Sequence, residues 1–289
     1  MCRCPLSHWL ERHGWAALVG LNLAVSAAAA GAGWALPPVL LVQGVLTLAT
    51  VAALERHWPE RPAWRQPPAT QPRDTLVDGA SAALLLGAVD PALKAGLALL
   101  AVQAATWWPA AAHAFPAQAP VALQLLLALA WNEFARYWLH RWHHEWPALW
   151  RLHALHHAPQ RVYWLNGLRV HPLNHALNTL AALGPLWALG TPPEVLAGVL
   201  ACTQPIQLLQ HANVRWRSGR LNRWLATNEA HRGHHATTLD LGMANYGSTW
   251  LLWDRLFGTW RAVPPGHPAW VGLHGAAPRR GLKIGRAHV

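Results

Sequence analysis

Three histidine clusters carry the chemistry of this sequence: His140-x3-His144, His153-x2-His156-His157 and His231-x2-His234-His235. Spacings of three and four residues put the members of each cluster on one face of a helix. Eight imidazoles brought to one place would repel one another if protonated, and buried neutral they would leave lone pairs unsatisfied. A bound cation removes both penalties, because neutral imidazole is a ligand for iron, zinc, copper and nickel. Eight ligands exceed the three or four that one tetrahedral zinc takes, so two metal ions are expected. A single His-x3-His would be weak grounds for a ligand pair; three clusters in one stretch of chain are much stronger. His171, His175 and His211 fall at the ends of neighbouring apolar runs. His143 departs from its helix face and is expected to point to solvent or a partner. His8, His13, His57, His113, His267, His274 and His288 are expected at an interface or surface. Metal-bound imidazoles usually donate their second N–H to a carboxylate or carbonyl. Glu133, Glu229, Asp240 and Asp254 are candidates for that role, although each would serve equally as a solvated acid or an arginine partner.

The elements that hold these clusters read as membrane helices. Hydrophobic residues make up 53% of the 289-residue chain and charged residues only 12%, about half the usual charged share. Twenty tryptophans beside three Tyr and three Phe suit a membrane–water interface. Apolar runs cover residues 15–34, 39–54, 76–108 and 119–139, with a shorter pair at 173–189 and 195–209. A run of about 20 residues makes one helical crossing. The expected fold is therefore all-α and polytopic: about four transmembrane helices, a short second hairpin and a helical cap bearing the histidines. Pro37-Pro38 and Thr191-Pro192-Pro193 break the two hairpins, and Asp90-Pro91 is expected to kink the third run.

The net charge of +11 comes almost wholly from arginine, since Lys94 and Lys283 are the only lysines. Nucleic-acid binding is excluded as a reading of that charge by the amount of apolar sequence. Of the 23 Lys and Arg only Lys94 and Arg136 lie in apolar runs, and the turns between crossings on one side carry none. The positive-inside rule then places both termini and all three clusters on the cytoplasmic side, provided residues 76–108 cross once. Cys2, Cys4 and Cys202 cannot form a disulfide framework, and no cleavable signal peptide is evident. Expected domains are membrane helices at 1–115, a histidine-bearing part at 116–262, and a solvated tail at 263–289.

Several ordered motifs carry a family likeness. Trp138-Leu139-His140-Arg141-x2-His144, Leu149-Trp150-x2-His153-x2-His156-His157, His171-Pro172, Gln210-His211-Ala212-Asn213 and His231-x2-His234-His235 come first. Asn245-Tyr246-Gly247 and Trp253-Asp254-Arg255-Leu256-Phe257-Gly258-Thr259 follow. Together, over about residues 131–260, they resemble the integral-membrane fatty acid hydroxylase and sterol desaturase superfamily. The resemblance implies a non-haem di-iron centre that activates O2 and hydroxylates or desaturates a C–H bond of a lipid in the bilayer. It implies ligand roles for His140, His144, His153, His156, His157, His231, His234 and His235, further roles for His211 and His171, and a supporting role for Asn245. The chain departs from the pattern at Asn174, where many relatives have Glu, and at Ala158 and Ala236. It has no His-Pro-Gly-Gly motif, so a separate ferredoxin or cytochrome would supply electrons, docking on the basic face. Zinc could replace iron in purified protein, given the affinity order of divalent metals. Two rivals come from other classes: a zinc-dependent membrane hydrolase, which would want a general base that no His-Glu-x2-His supplies, and a non-catalytic metal-binding protein.

Overall fold

The computed structural model describes residues 5–264, 266 and 268–273. Cys2, Cys4, His267, His274, His288 and most of the expected tail lie outside them. The described residues are mostly helical, with no strand and only isolated bridges.

The first hairpin joins α1 (Pro5–Gly31) to α2 (Leu36–His57). Gly33 turns the chain at φ +76°, a conformation that costs glycine little. Pro37 and Pro38 do not separate the helices but sit in the first turn of α2, where a missing N–H leaves no bond unmade. Polar side chains clasp the hairpin inside its apolar surroundings. Ser26 Oγ donates to Gln43 Oε1 at 2.9 Å, Gln43 Nε2 to the Asn22 carbonyl at 2.8 Å, and Thr47 Oγ1 to Asn22 Oδ1 at 3.2 Å.

Next come α3 (Asp74–Leu84) and α4 (Asp90–Trp107), joined through a π turn at Leu85–Val89 into one unbroken rod. The expected kink at Asp90-Pro91 is thus a widened turn just before the proline. Pro91 cannot donate the usual helical bond, and a π turn absorbs such a gap. Then follow α5 (Val121–Glu145), α6 (Pro147–His157), α7 (Pro172–Ala188) and α8 (Pro193–Leu209). Short helices α9 (Asn228–His234), α10 (Leu239–Gly242) and α11 (Leu252–Leu256) complete the cap.

Three helices, at residues 7–31, 36–57 and 74–107, are long and apolar enough to cross a membrane. Their outward faces suit lipid: Leu41 is 69% exposed and Leu99 72%. Exposed Trp34, Trp107 and Trp108 stand at their ends, where indole favours the headgroup region. The expected fourth crossing, α5, has the length but carries Asn132, Glu133 and Arg136 at or just past its middle. At 17 residues each, α7 and α8 reach about 26 Å, short of the ~30 Å hydrocarbon core.

The short hairpin is the centre of the bundle. Helix α8 packs on α1, α2 and α5, and α7 on α4 and α5. Ala128, Leu129, Leu186, Val195 and Val199 form one core there; Trp15, Val51, Leu209, Val214 and Trp216 form another beneath the cap. Buried charge fastens the cap to the helices. Glu55 accepts the backbone N–H groups of Trp164 and Asn213, each at 2.8 Å. Arg161 meets Asp74 at 3.1 Å, Arg169 bridges Asp74 and Asp78, and the Tyr163 hydroxyl donates to Asp78 at 2.7 Å.

Candidate metal centre

The histidines arrive from four places. Helix α5 ends on His140 and His144, and α6 folds straight back against it with His153, His156 and His157. Chain leaving α8 brings His211, and α9, capped by the Thr227 hydroxyl accepting from the Ala230 N–H, brings His231, His234 and then His235. Nine rings sort into two groups: His140, His144, His153, His157 and His234 in one, and His156, His211, His231 and His235 in the other. Within each group one ring nitrogen per residue lies within 4.8 Å of all the others. The groups adjoin, with the rings of His157 and His235 stacked at 4.2 Å.

Ring orientation is fixed from behind by acceptors. His140 Nδ1–H donates to the Tyr246 carbonyl at 2.7 Å, His234 Nδ1–H to the Ala244 carbonyl at 2.8 Å, and His156 Nδ1–H to the Arg169 carbonyl at 3.3 Å. His211 Nδ1–H donates to Asn166 Oδ1 at 2.7 Å. Each bond commits the proton to Nδ1, so the neutral ring presents a bare Nε2 lone pair inward. The buried Nε2 of His234 has no hydrogen-bond partner. In the first group Nε2 of His153 lies 3.1 Å from that of His140 and 3.2 Å from that of His157. In the second, Nε2 of His231 lies 3.0 Å from that of His211 and 3.2 Å from that of His235. Two nitrogens about 2.0–2.1 Å from a shared ion, at roughly 90–109°, are about 2.9–3.4 Å apart. The donor sets therefore fit a metal ion each.

Burial holds these rings neutral. The His156 imidazole is pushed down from 6.5 to about 4 by desolvation. His153, His157, His211, His231, His234 and His235 fall well below the ordinary value, through burial first and neighbouring imidazoles second. Neutral imidazole is the form that binds metal.

Other expected residues lie elsewhere. His171 belongs to neither group: its Nδ1 accepts the Leu173 N–H at 3.1 Å and caps α7. His175 pairs with Asp90 at 3.1 Å. His143 does not face solvent; it is fully buried, with its Nδ1–H on the Leu139 carbonyl at 2.6 Å and its ring 5.4 Å from His153. The fold-back of α6 covers this flank of α5 as well. His8, His13, His57 and His113 are exposed.

The candidate carboxylates bond elsewhere or lie exposed. Glu133 accepts from Thr249 N at 2.7 Å and Trp250 N at 3.0 Å. Glu229 accepts from Ser218 N and Asn222, and Asp240 is exposed. Asp254 acts at one remove. Its carboxylate accepts the N–H groups of Tyr246 and Gly247, both at 2.7 Å, and so sets the carbonyl that holds His140. Asn245 takes the left-handed conformation at φ 57° and exchanges hydrogen bonds with the Arg261 backbone. That turn places the Ala244 and Tyr246 carbonyls behind His234 and His140. Gly247 is required beside it, because a Cβ there would stand 2.1 Å from the Trp250 carbonyl oxygen. Asn166, buried in the structure, gave no signal in the sequence; the Asn245-Tyr246-Gly247 run did.

A cavity of about 540 Å³ reaches from His140, His153, His156, His211 and His231 into the bundle, between α2, α4, α7 and α8. Leu40, Leu86, Leu183 and Leu200 give it apolar walls. Its size suits a ligand, and its inner end meets both histidine groups.

A family model for fatty acid hydroxylase matches residues 125–259, a range containing all nine clustered histidines. Ornithine lipid hydroxylase OlsE of Rhizobium tropici is 34% identical over 232 residues, which is 79% of this chain and 69% of that protein. Alkylglycerol monooxygenase of Homo sapiens is 32% identical over 130 residues, 45% of this chain and 29% of that protein. The Danio rerio protein of the same name is 31% identical over 133 residues, 46% of this chain and 29% of that protein. The chain thus spans less than a third of the length of these monooxygenases. No solved structure matches it.

Proposed function

This chain belongs to the fatty acid hydroxylase family, and from that premise we propose that it is a di-iron hydroxylase that inserts oxygen from O2 into a C–H bond of a membrane lipid. The observation that carries the proposal is the pair of adjoining histidine groups at the inner end of a cavity between membrane helices. His140, His144, His153, His157 and His234 would hold one ion, and His156, His211, His231 and His235 the other. Five donors in the first group exceed the four of a structural zinc site, which favours iron there. Bound iron supplies O2 activation. In the overall balance one oxygen atom enters the C–H bond and the other leaves as water, with two electrons and two protons from a separate reductant. Hydroxylation is preferred to desaturation because the relatives carry the names hydroxylase and monooxygenase.

The chain's own residues do the rest. Backbone carbonyls of Tyr246, Ala244 and Arg169, with Asn166, hold the proton on Nδ1 and aim the rings, while burial keeps them neutral. The leucine-lined cavity seats a lipid tail and excludes water from the reacting carbon. The arginine distribution supports a cytoplasmic position for the centre, where exposed Arg56, Arg65, Arg73 and Arg151 would offer an acidic ferredoxin or cytochrome a docking face. On this account residues 1–115 anchor the enzyme, 116–262 carry the chemistry, and 263–289 form a tail. Elemental analysis combined with O2-uptake measurement tests the proposal. Two iron ions per chain and uptake coupled to donor oxidation are expected. Lipid turnover without O2 uptake would establish a hydrolase, and metal without turnover a binding protein.

A further inference from the structure

Arg136 lines the lipid cavity four residues before His140 on α5, about 6 Å along the helix axis. Among the described residues it is the one Lys, Arg or Asp of that wall in no direct ion pair, Glu133 and Asp90 acting on it only from a distance. Asp90, the wall's single carboxylate, is already taken by Lys94 at 2.6 Å and His175 at 3.1 Å. Glu133 lies outside ion-pair distance and is occupied by the Thr249 and Trp250 amides and by Asn132 Nδ2. Arg136 makes one hydrogen bond among the described residues, from Nε to Asn132 Oδ1 at 3.3 Å, and its two terminal nitrogens reach no protein acceptor. The wall's glutamines are engaged: Gln204 with the Leu40 carbonyl, Gln207 with Ser248 Oγ and Gln210 with the Ser248 carbonyl. Asn174 on the neighbouring α7 is the other exception, 5% exposed with Oδ1 unbonded.

An unpaired cation held in a membrane bundle is costly unless a ligand completes it. The planar guanidinium fork matches a carboxylate or a phosphate, which it binds through paired hydrogen bonds. We propose that Arg136 recognises the anionic headgroup of the lipid substrate and holds it within about one helical turn of the histidine centre. Asn174 Oδ1 would then accept an N–H or O–H of the same headgroup. This rests on the proposed lipid oxidation but concerns binding, so the two can fail separately. The cavity would discriminate by charge at the headgroup end, while its leucine walls accept the tail with little selectivity.

Binding is measured by native mass spectrometry of the metal-loaded full chain in neutral detergent, with metal content determined on each sample. N-palmitoylglycine is compared with its methyl ester, and phosphatidic acid with diacylglycerol. Wild type should prefer at least one anion over its neutral counterpart by about ten- to a hundredfold, the value of a charged hydrogen bond; which anion wins distinguishes a carboxylate from a phosphate headgroup. R136Q should erase the preference without loss of metal, and R136K, keeping the charge but not the fork, should retain a reduced one. The inference is overturned if wild type shows no preference for either anion, or if R136Q or R136K leaves the preference unchanged. Anion preference in a chain that oxidises no lipid would leave Arg136's role standing and remove the proposed function.

Discussion

Acid should dismantle the metal-free histidine core over a defined window. Burial holds His156 at about 4 against an ordinary 6.5, so between those values the unfolded chain binds a proton that the folded chain refuses. Stability is then complete above about pH 6.5, falls as pH falls, and has lost the whole contribution below about pH 4. The full shift corresponds to about 3 kcal/mol, and moving from about pH 7.5 to about pH 5 costs about 2 kcal/mol for His156 alone. His157, His211, His231, His234 and His235 move in the same direction. Even a partial share from each approaches the ~5–15 kcal/mol that holds a typical domain folded. The assay is thermal melting and hydrogen exchange on the chelated protein at a series of pH values, following α6 and α9. Metal should shift the loss to lower pH, because ions compete with protons for the same lone pairs. A metal-free protein whose melting temperature is flat from about pH 7.5 to pH 5 would refute the reasoning. So would a metal-loaded form that melts at the same pH as the metal-free one.

Each histidine group should answer separately to mutation: His231→Ala should lower the ion count from two toward one and abolish lipid oxidation, as should His234→Ala from the other group, by elemental analysis and product assay. Asp254→Asn should weaken metal affinity by about ten- to a hundredfold in a chelator competition, because the Tyr246 carbonyl behind His140 loses its anchor. Asp74→Ala leaves Arg161 and Arg169 buried without their shared partner and should cost about 3–5 kcal/mol by denaturant titration, whereas Arg151→Ala at the surface should stay within about 0.5 kcal/mol. A reporter fused after Val289 should be active only on the cytoplasmic side.

The parts visible in the sequence are those set by periodicity. The three clusters showed themselves because a helix converts spacings of three and four into a shared face, and His211 joined through its motif. The short hairpin, expected at 173–189 and 195–209, formed within a residue or two as α7 and α8, since Pro172 and Pro193 start helices cleanly. What periodicity could not supply is what stands across from a face. His143 was expected toward solvent or a partner because a helical wheel shows one helix, not the α6 that doubles back over it. His171 and Pro172 promised a ligand, but a residue just before a helix is in position to cap it, and its ring nitrogen serves that end. A carboxylate or a carbonyl was expected behind the imidazoles, and at His140, His156 and His234 it is a backbone carbonyl. Such acceptors exist at every residue, so nothing in the side-chain order marks those of Tyr246, Ala244 and Arg169. The cavity was equally hidden, being assembled from four helices distant in the chain.

The central claim is that this chain oxygenates a membrane lipid at the two histidine groups, and isotopically heavy O2 tests it most directly. Iron-loaded protein in membranes, given reductant and heavy oxygen gas, should yield one lipid class carrying a single heavy oxygen atom by mass spectrometry. The His231→Ala and His234→Ala chains should yield none. Oxygenated lipid that takes its oxygen from water, or labelled lipid formed equally by those variants, would contradict the account.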